Sequence, residues 1–140
     1  MKKKILIVED DRVMSFVCQR LLEKHDFETE TASDGAKGLE RLAVFRPDGV
    51  LLDLMMPKVN GIEFLKGVRN HEAFKELPII VLTNVAVPML VEQATQAGAT
   101  RVLDKSKFNP VALIEHLRAL LNTGPTTTSI GLSHAQPWKG

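Results

Sequence analysis

Cysteine occurs once in the 140 residues, as Cys18, which excludes an intramolecular disulfide and any zinc site built from several cysteines. The four histidines, His25, His71, His116 and His134, are scattered, with neither metal-ligand spacing nor the arrangement of a catalytic triad. Apolar runs such as Ile79 to Leu82 fall far short of a membrane span. The basic start Met-Lys-Lys-Lys leads into only Ile5 to Val8 before Glu9-Asp10-Asp11, which is not the apolar stretch and cleavage site of a secretory signal. Charge of one sign is not in excess either. Lys and Arg number 18 against 17 Asp and Glu, a net of +1, so no global field favours nucleic acid or an anionic membrane. These absences leave a single domain, expected in the cytoplasm. With 44% hydrophobic residues, a chain of this length buries roughly two-thirds of its unfolded surface and needs no staple.

What is present is an alternation. Short runs at Ile5–Val8, Glu28–Ala32, Gly49–Leu52, Ile79–Leu82 and Arg101–Leu103 are separated by longer amphipathic segments. Three runs are continuously apolar, as central parallel strands covered on both faces must be. The threonine-rich Glu28–Ala32 reads as one edge strand and the short Arg101–Leu103 as the other. Between them, Val13, Phe16, Val17, Leu21 and Leu22 recur at helical spacing after Asp11, a candidate N-cap. Similar patterns follow Asp34-Gly35, Asn60-Gly61, Pro88 and Asn109-Pro110, and Gly98 reads as a helix stop. Five strand-helix pairs predict an open parallel sheet with helices on both faces. From residue 123 to 140 the apolar period is lost and Thr, Ser, Gly and Pro dominate. That segment is expected to be a flexible tail after a domain spanning 1–122.

In open α/β sheets ligands bind beyond the carboxyl ends of the strands. After the first run come Glu9, Asp10 and Asp11; after the third, Asp53; after the fourth, Thr83; after the fifth, Asp104 and Lys105. Asp11 reads as a helix cap. Glu9 and Asp10 are poor packing residues at a strand end, and Asp53 is one acid in an apolar stretch, where an unpartnered carboxylate is costly. Carboxylates held together raise one another's pKa, and a hard cation such as Mg²⁺ relieves them through oxygen ligands. A carboxylate beside Mg²⁺, an ammonium and a hydroxyl is placed to attack phosphorus. Cys18, on the apolar side of its helix, reads as packing. A nucleotide- or flavin-binding domain is disfavoured, since acids stand where a glycine-rich loop would be needed after the first strand.

The pieces Ile5-Leu-Ile-Val-Glu-Asp-Asp11, Asp48-Gly-Val-Leu-Leu-Asp-Leu-Met-Met-Pro57, Asn60-Gly61, Pro78-Ile-Ile-Val-Leu-Thr83, Ala97-Gly-Ala99 and Lys105 together resemble the receiver domain of bacterial two-component response regulators. The resemblance covers residues 3 to about 121. It implies a doubly wound (βα)5, flavodoxin-like fold with strand order 2-1-3-4-5. It implies further that Asp53 accepts a phosphoryl group and that Asp10, Asp53 and the carbonyl of Met55 hold Mg²⁺, with Glu9 acting through water. Thr83 would hydrogen-bond the phosphoryl group and Lys105 would pair with it, while Pro57 and Gly61 would shape the loop beyond the acceptor. The implied donor is a sensor histidine kinase or a histidine phosphotransfer protein. The implied output is a downstream protein bound at the face of the fourth helix, fifth strand and fifth helix, about residues 88 to 121. The state expected is a monomer or a phosphorylation-dependent dimer, with no direct nucleic-acid or membrane contact.

The sequence departs from the family pattern at several positions. Val102 stands where an aromatic residue is usual, Ser106 where Pro commonly follows the lysine, and Asn84 where a small residue follows the threonine. Met55 and Val85 are apolar at positions where polar side chains could orient an attacking water, so slow hydrolysis of the aspartyl-phosphate is expected. The leading expectation is a stand-alone phosphoacceptor switch rather than an enzyme acting on other substrates. A degenerate receiver serving as a phosphorylation-independent interaction module is disfavoured by the intact Glu9, Asp10, Asp53, Thr83 and Lys105. A phosphohydrolase using Asp53 as nucleophile is disfavoured, since haloacid dehalogenase-like phosphatases carry a general acid two residues after the nucleophile, where this chain has Met55.

Overall fold

Backbone pairing turns the five runs into one parallel sheet, β1 (Lys3–Val8), β2 (Phe27–Ala32), β3 (Gly49–Asp53), β4 (Ile79–Thr83) and β5 (Arg101–Asp104), in the order β2-β1-β3-β4-β5. The coordinates are a computed structural model that describes residues 2–54, 60–84 and 88–121. The expected tail falls outside these residues, as do Met55, Pro57 and Val85. Helices α1 (Arg12–Lys24), α2 (Gly35–Phe45), α3 (Gly61–Arg69), α4 (Pro88–Ala97) and α5 (Pro110–Leu121) connect the strands. The fold is the flavodoxin-like doubly wound one. Strands β3 and β4 are buried along their whole length, whereas the edge strand β2 is buried only at its two ends, Phe27 and Ala32. That difference is why the central runs are continuously apolar and the edge is not.

Alternation along each strand divides the core in two. Leu6, Val8, Val50, Leu52, Ile79 and Val81 face α2, α3 and α4 through Leu42, Phe45, Phe64, Leu65, Val68 and Ala94. Ile5, Ile7, Leu51, Ile80, Leu82 and Leu103 face α1 and α5 through Cys18, Leu22, Leu113, Ile114 and Leu117. Caps fix where the helices begin. Asp11 accepts from the N–H groups of Val13 and Met14, Asp34 from Lys37, Asn60 from Glu63 and Asn109 from Ala112. At the far end of α4, Gly98 adopts φ +117°. Its carbonyl takes two hydrogen bonds from the Arg69 guanidinium, which also donates to the Phe74 carbonyl.

One helix presents a different face from that suggested by its sequence. In α1, Val13, Phe16 and Val17 are 72%, 58% and 43% exposed, while Cys18 and Leu22 are buried and Met14 and Leu21 pack beside them. At about 100° per residue, Met14, Cys18, Leu21 and Leu22 form one stripe and Val13, Phe16 and Val17 the adjacent one. Apolar residues occupy more of the helix circumference than the sheet and α5 can cover.

Gly61 sets the return of the chain past Asp53. Its N–H donates to the Leu54 carbonyl at 3.0 Å, and a Cβ built there would lie 2.5 Å from Leu54 Cα and 2.9 Å from the Asp53 carbonyl oxygen. Those neighbours are backbone and cannot rotate away. Gly61→Ala is therefore expected to cost about 1–3 kcal/mol in urea unfolding. Gly67→Ala, whose Cβ meets only the Leu39 side chain, should stay within about 1 kcal/mol of wild type. Equal effects of the two substitutions would contradict the assigned role of Gly61.

Candidate functional site

The strand order reverses between β1 and β3, and at such a switch point the helices leave a crevice beyond the carboxyl ends of the strands. Glu9 and Asp10 follow β1 and Asp53 closes β3, so three carboxylates border this crevice. One oxygen from each lies within 4.8 Å of the others. Strand pairing fixes the arrangement from behind: the Glu9 N–H donates to the Ala32 carbonyl at 3.0 Å, and Asp53 pairs in register with Leu82. Glu9 and Asp53 are buried, whereas Asp10 is exposed. The cluster thus has a protein side and a solvent side. An oxygen-only set with one exposed carboxylate suits a hard cation that retains waters.

Lys105 reaches into this cluster from the end of β5. Its Nζ lies 2.8 Å from Glu9 Oε1 and 3.6 Å from Asp53 Oδ2, and the second Glu9 oxygen accepts the Asp11 N–H at 3.1 Å. Burial pushes the Glu9 carboxyl up to about 7, and the negative charge of Asp53 adds to the rise. The hydrogen bonds from Lys105 and from the Asp11 N–H pull it down. Burial by itself would lower the Lys105 ammonium, but the Glu9 and Asp53 carboxylates overcome it and hold the ammonium above its ordinary value. Thr83 is fully buried at the end of β4, paired with Asp104 in register.

The structure therefore gathers Glu9, Asp10, Asp53 and Lys105 at one place, with Thr83 closing the neighbouring strand. Met55 lies outside the described residues. Asp11 turns its carboxylate to the start of α1 as a cap. Asn84 is exposed and Val102 is half-buried against the first core cluster. Sequence reasoning missed two features. One is the direct contact between Glu9 and Lys105. The other is at Asp104, whose Oδ1 accepts both the N–H and the hydroxyl of Ser106, at 2.9 and 2.6 Å. The pattern Asp-Lys-Ser at a strand end is a capping signal that would have located the second. Beside the cluster, a hollow of about 290 Å³ runs from Glu9 and Asp10 to Arg12 and Phe16 on α1.

Known proteins with similar sequences and folds share this arrangement of elements. The sequence profile of the response regulator receiver domain matches residues 5–118. The response regulator MprA of Mycolicibacterium vanbaalenii is 36% identical over 137 residues, covering 96% of this chain and 57% of its own length. The chain thus spans about half the length of the curated relatives it matches. The chemotaxis protein CheY4 of Vibrio cholerae superposes with a TM-score of 0.81 at 32% identity, over 86% of this chain and 99% of its own. The receiver domain of a Pseudomonas aeruginosa sensor histidine kinase, solved with a magnesium ion coordinated in the active site cleft, gives a TM-score of 0.81 at 27% identity. It covers 88% of this chain and 100% of its own.

The raised Glu9 carboxyl has a consequence for stability. Between its ordinary value of 4.5 and about 7, the folded chain keeps a proton that the unfolded chain has released. The folded state then binds more protons, so stability falls as pH rises through that window and stays reduced above it. In EDTA the loss from pH 5 to pH 8 should be roughly 1–2 kcal/mol after solvent screening, read from urea unfolding. Millimolar Mg²⁺ should recover it at pH 8. His116, held below its ordinary value by burial and by Arg101, acts in the opposite sense over the same window, so the Glu9 contribution is read as the difference from Glu9→Gln. No difference between the two would contradict the assignment.

Proposed function

The chain belongs to the response regulator receiver domain family, and from that we propose that it is a phosphoacceptor switch whose acceptor is Asp53. The observation carrying this reading is the convergence of Asp53, Glu9 and Asp10 from two strands on the Lys105 ammonium from a third. A family member acting solely as an interaction module would have no need to keep a buried carboxylate within 3.6 Å of a lysine on the edge of an acid cluster.

In the proposed reaction, a carboxylate oxygen of Asp53 attacks phosphorus in line. The bond from phosphorus to the donor breaks, its electron pair departs with the leaving group, and an acyl phosphate forms on Asp53. Lys105 has three donors on a mobile stem, so it can keep Glu9 while turning toward phosphoryl oxygens on Asp53. The Thr83 hydroxyl, at the end of the next strand, donates to the same group. Asp10, Asp53 and the Met55 carbonyl would hold Mg²⁺, with Glu9 acting through water, and the ion would supply Lewis-acid stabilisation of charge on the phosphoryl oxygens. The Pseudomonas receiver with its coordinated magnesium supports that choice of metal.

The donor we propose is a histidine kinase or a histidine phosphotransfer protein, acting in the cytoplasm. Val13, Phe16 and Val17 form an exposed apolar stripe on α1, and Phe16 lines the hollow that opens on Glu9 and Asp10. A partner covering this stripe brings its phosphohistidine to the acid cluster. Output is assigned to a protein bound at the α4, β5 and α5 face, about residues 88 to 121. The domain proposed to carry all this spans 1–122.

Incubation with Mg²⁺ and acetyl phosphate should add one phosphoryl group by intact mass. Asp53→Ala should abolish the adduct and EDTA should suppress it. Full labelling of Asp53→Ala would overturn the assignment.

A further inference from the structure

Where the ammonium of Lys105 arrives depends on where the backbone launches its flexible stem, and that backbone is tied at three points. Asp104 is held in register with Thr83 as the last pair of β4 and β5. The Phe108 N–H donates to the Lys105 carbonyl at 3.2 Å, and the Phe108 ring packs against the core cluster beneath α1 and α5. Between these anchors, a single carboxylate oxygen of Asp104 receives the Ser106 N–H at 2.9 Å and the Ser106 hydroxyl at 2.6 Å, capping the 3-10 turn Lys105–Lys107. We propose that Asp104 and Ser106 are positioning residues for Lys105, a side-chain clamp that aims its ammonium at Glu9 and Asp53 for phosphoryl transfer. The inference rests on the reading of Asp53 as acceptor.

The clamp answers a question raised by the sequence. A proline after the lysine fixes the backbone through its ring; serine does not. Here the restriction comes from two hydrogen bonds, one of which needs an N–H that proline lacks. Both donors on Ser106 hold the Asp104 carboxyl below the usual carboxylate range, so it stays an acceptor through neutral pH. Ser106 is exposed and Asp104 half-buried, and neither belongs to the two apolar core clusters, so substituting them removes the clamp without opening the core. Serving as an aim for Lys105 is thus separable from holding the domain together.

The test compares two quantities that a positional effect moves apart and a folding defect moves together. One is the rate of labelling by acetyl phosphate; the other is Mg²⁺ affinity in the absence of phosphodonor. In Asp104→Ala the rate should fall about tenfold, as misplacement of a reacting group by an ångström or less commonly does. Mg²⁺ should bind at least as tightly as in wild type, because the acids lose part of their resident ammonium. Asp104→Asn keeps the accepting oxygen and should return the rate to within about threefold of wild type. Ser106→Ala keeps the N–H but loses the hydroxyl, and should give an intermediate fall of about two- to fourfold. Labelling of Asp104→Ala at the wild-type rate, or loss of rate and Mg²⁺ affinity together, would overturn the clamp. If Asp104→Ala fails to fold by circular dichroism, Ser106→Ala at the wild-type rate would do the same. A wild-type chain that takes no phosphoryl group on Asp53 would instead overturn the reading beneath it.

Discussion

A lysine ammonium placed among carboxylates is the interaction on which the rest of this molecule depends. Glu9 and Asp53 are buried at adjacent strand ends, where their mutual repulsion and desolvation work against folding. Lys105 meets one at 2.8 Å and the other at 3.6 Å. At an effective dielectric near 20, a unit pair at such separation is worth roughly 4–6 kcal/mol before desolvation is counted. With Asp10, the cluster carries three carboxylates against one ammonium, a deficit equal to the charge of one divalent cation. A site left short by two charges suits a divalent cation.

The sheet makes that arrangement possible because it removes freedom everywhere else. Both faces of β1, β3 and β4 are covered, and the registers Val8↔Leu52, Asp53↔Leu82 and Thr83↔Asp104 put the four strand ends in fixed order. The charged residues of the site then fall at the carboxyl ends of the strands, where Glu9 follows β1, Asp53 closes β3 and Lys105 follows β5. The backbone leaving Asp53 is confined as well, since Gly61 packs directly on Leu54. The loop after β5 adds a restraint of its own through the Asp104–Ser106 hydrogen bonds.

Much of this was legible in the sequence because its signals were local and redundant. Continuous apolar runs named the central strands, a threonine-rich run the edge, and Asp11, Asn60 and Asn109 the helix starts. Acids at strand ends pointed to the cluster once the sheet was assumed. The parts that escaped depend on facing and distance. The α1 pattern gave a helix but not its buried side, because Val13, Phe16 and Val17 are as apolar as Met14, Cys18 and Leu21, and only α5 and the sheet decide between them. That Glu9 meets Lys105, 96 residues later, follows from tertiary geometry alone. In the sequence Ser106 reads only as a missing proline, since its two hydrogen bonds to Asp104 exist only in the folded turn.

The central claim is that the acid cluster is completed by a dication, and Mg²⁺ titration followed by amide chemical shifts tests it most directly. One saturable site is expected, with shifts centred on Glu9, Asp10, Asp53 and Lys105 and an affinity lowered at least about tenfold by Asp10→Asn. Weak, unsaturable shifts spread over the surface, or a titration unchanged by Asp10→Asn, would contradict it.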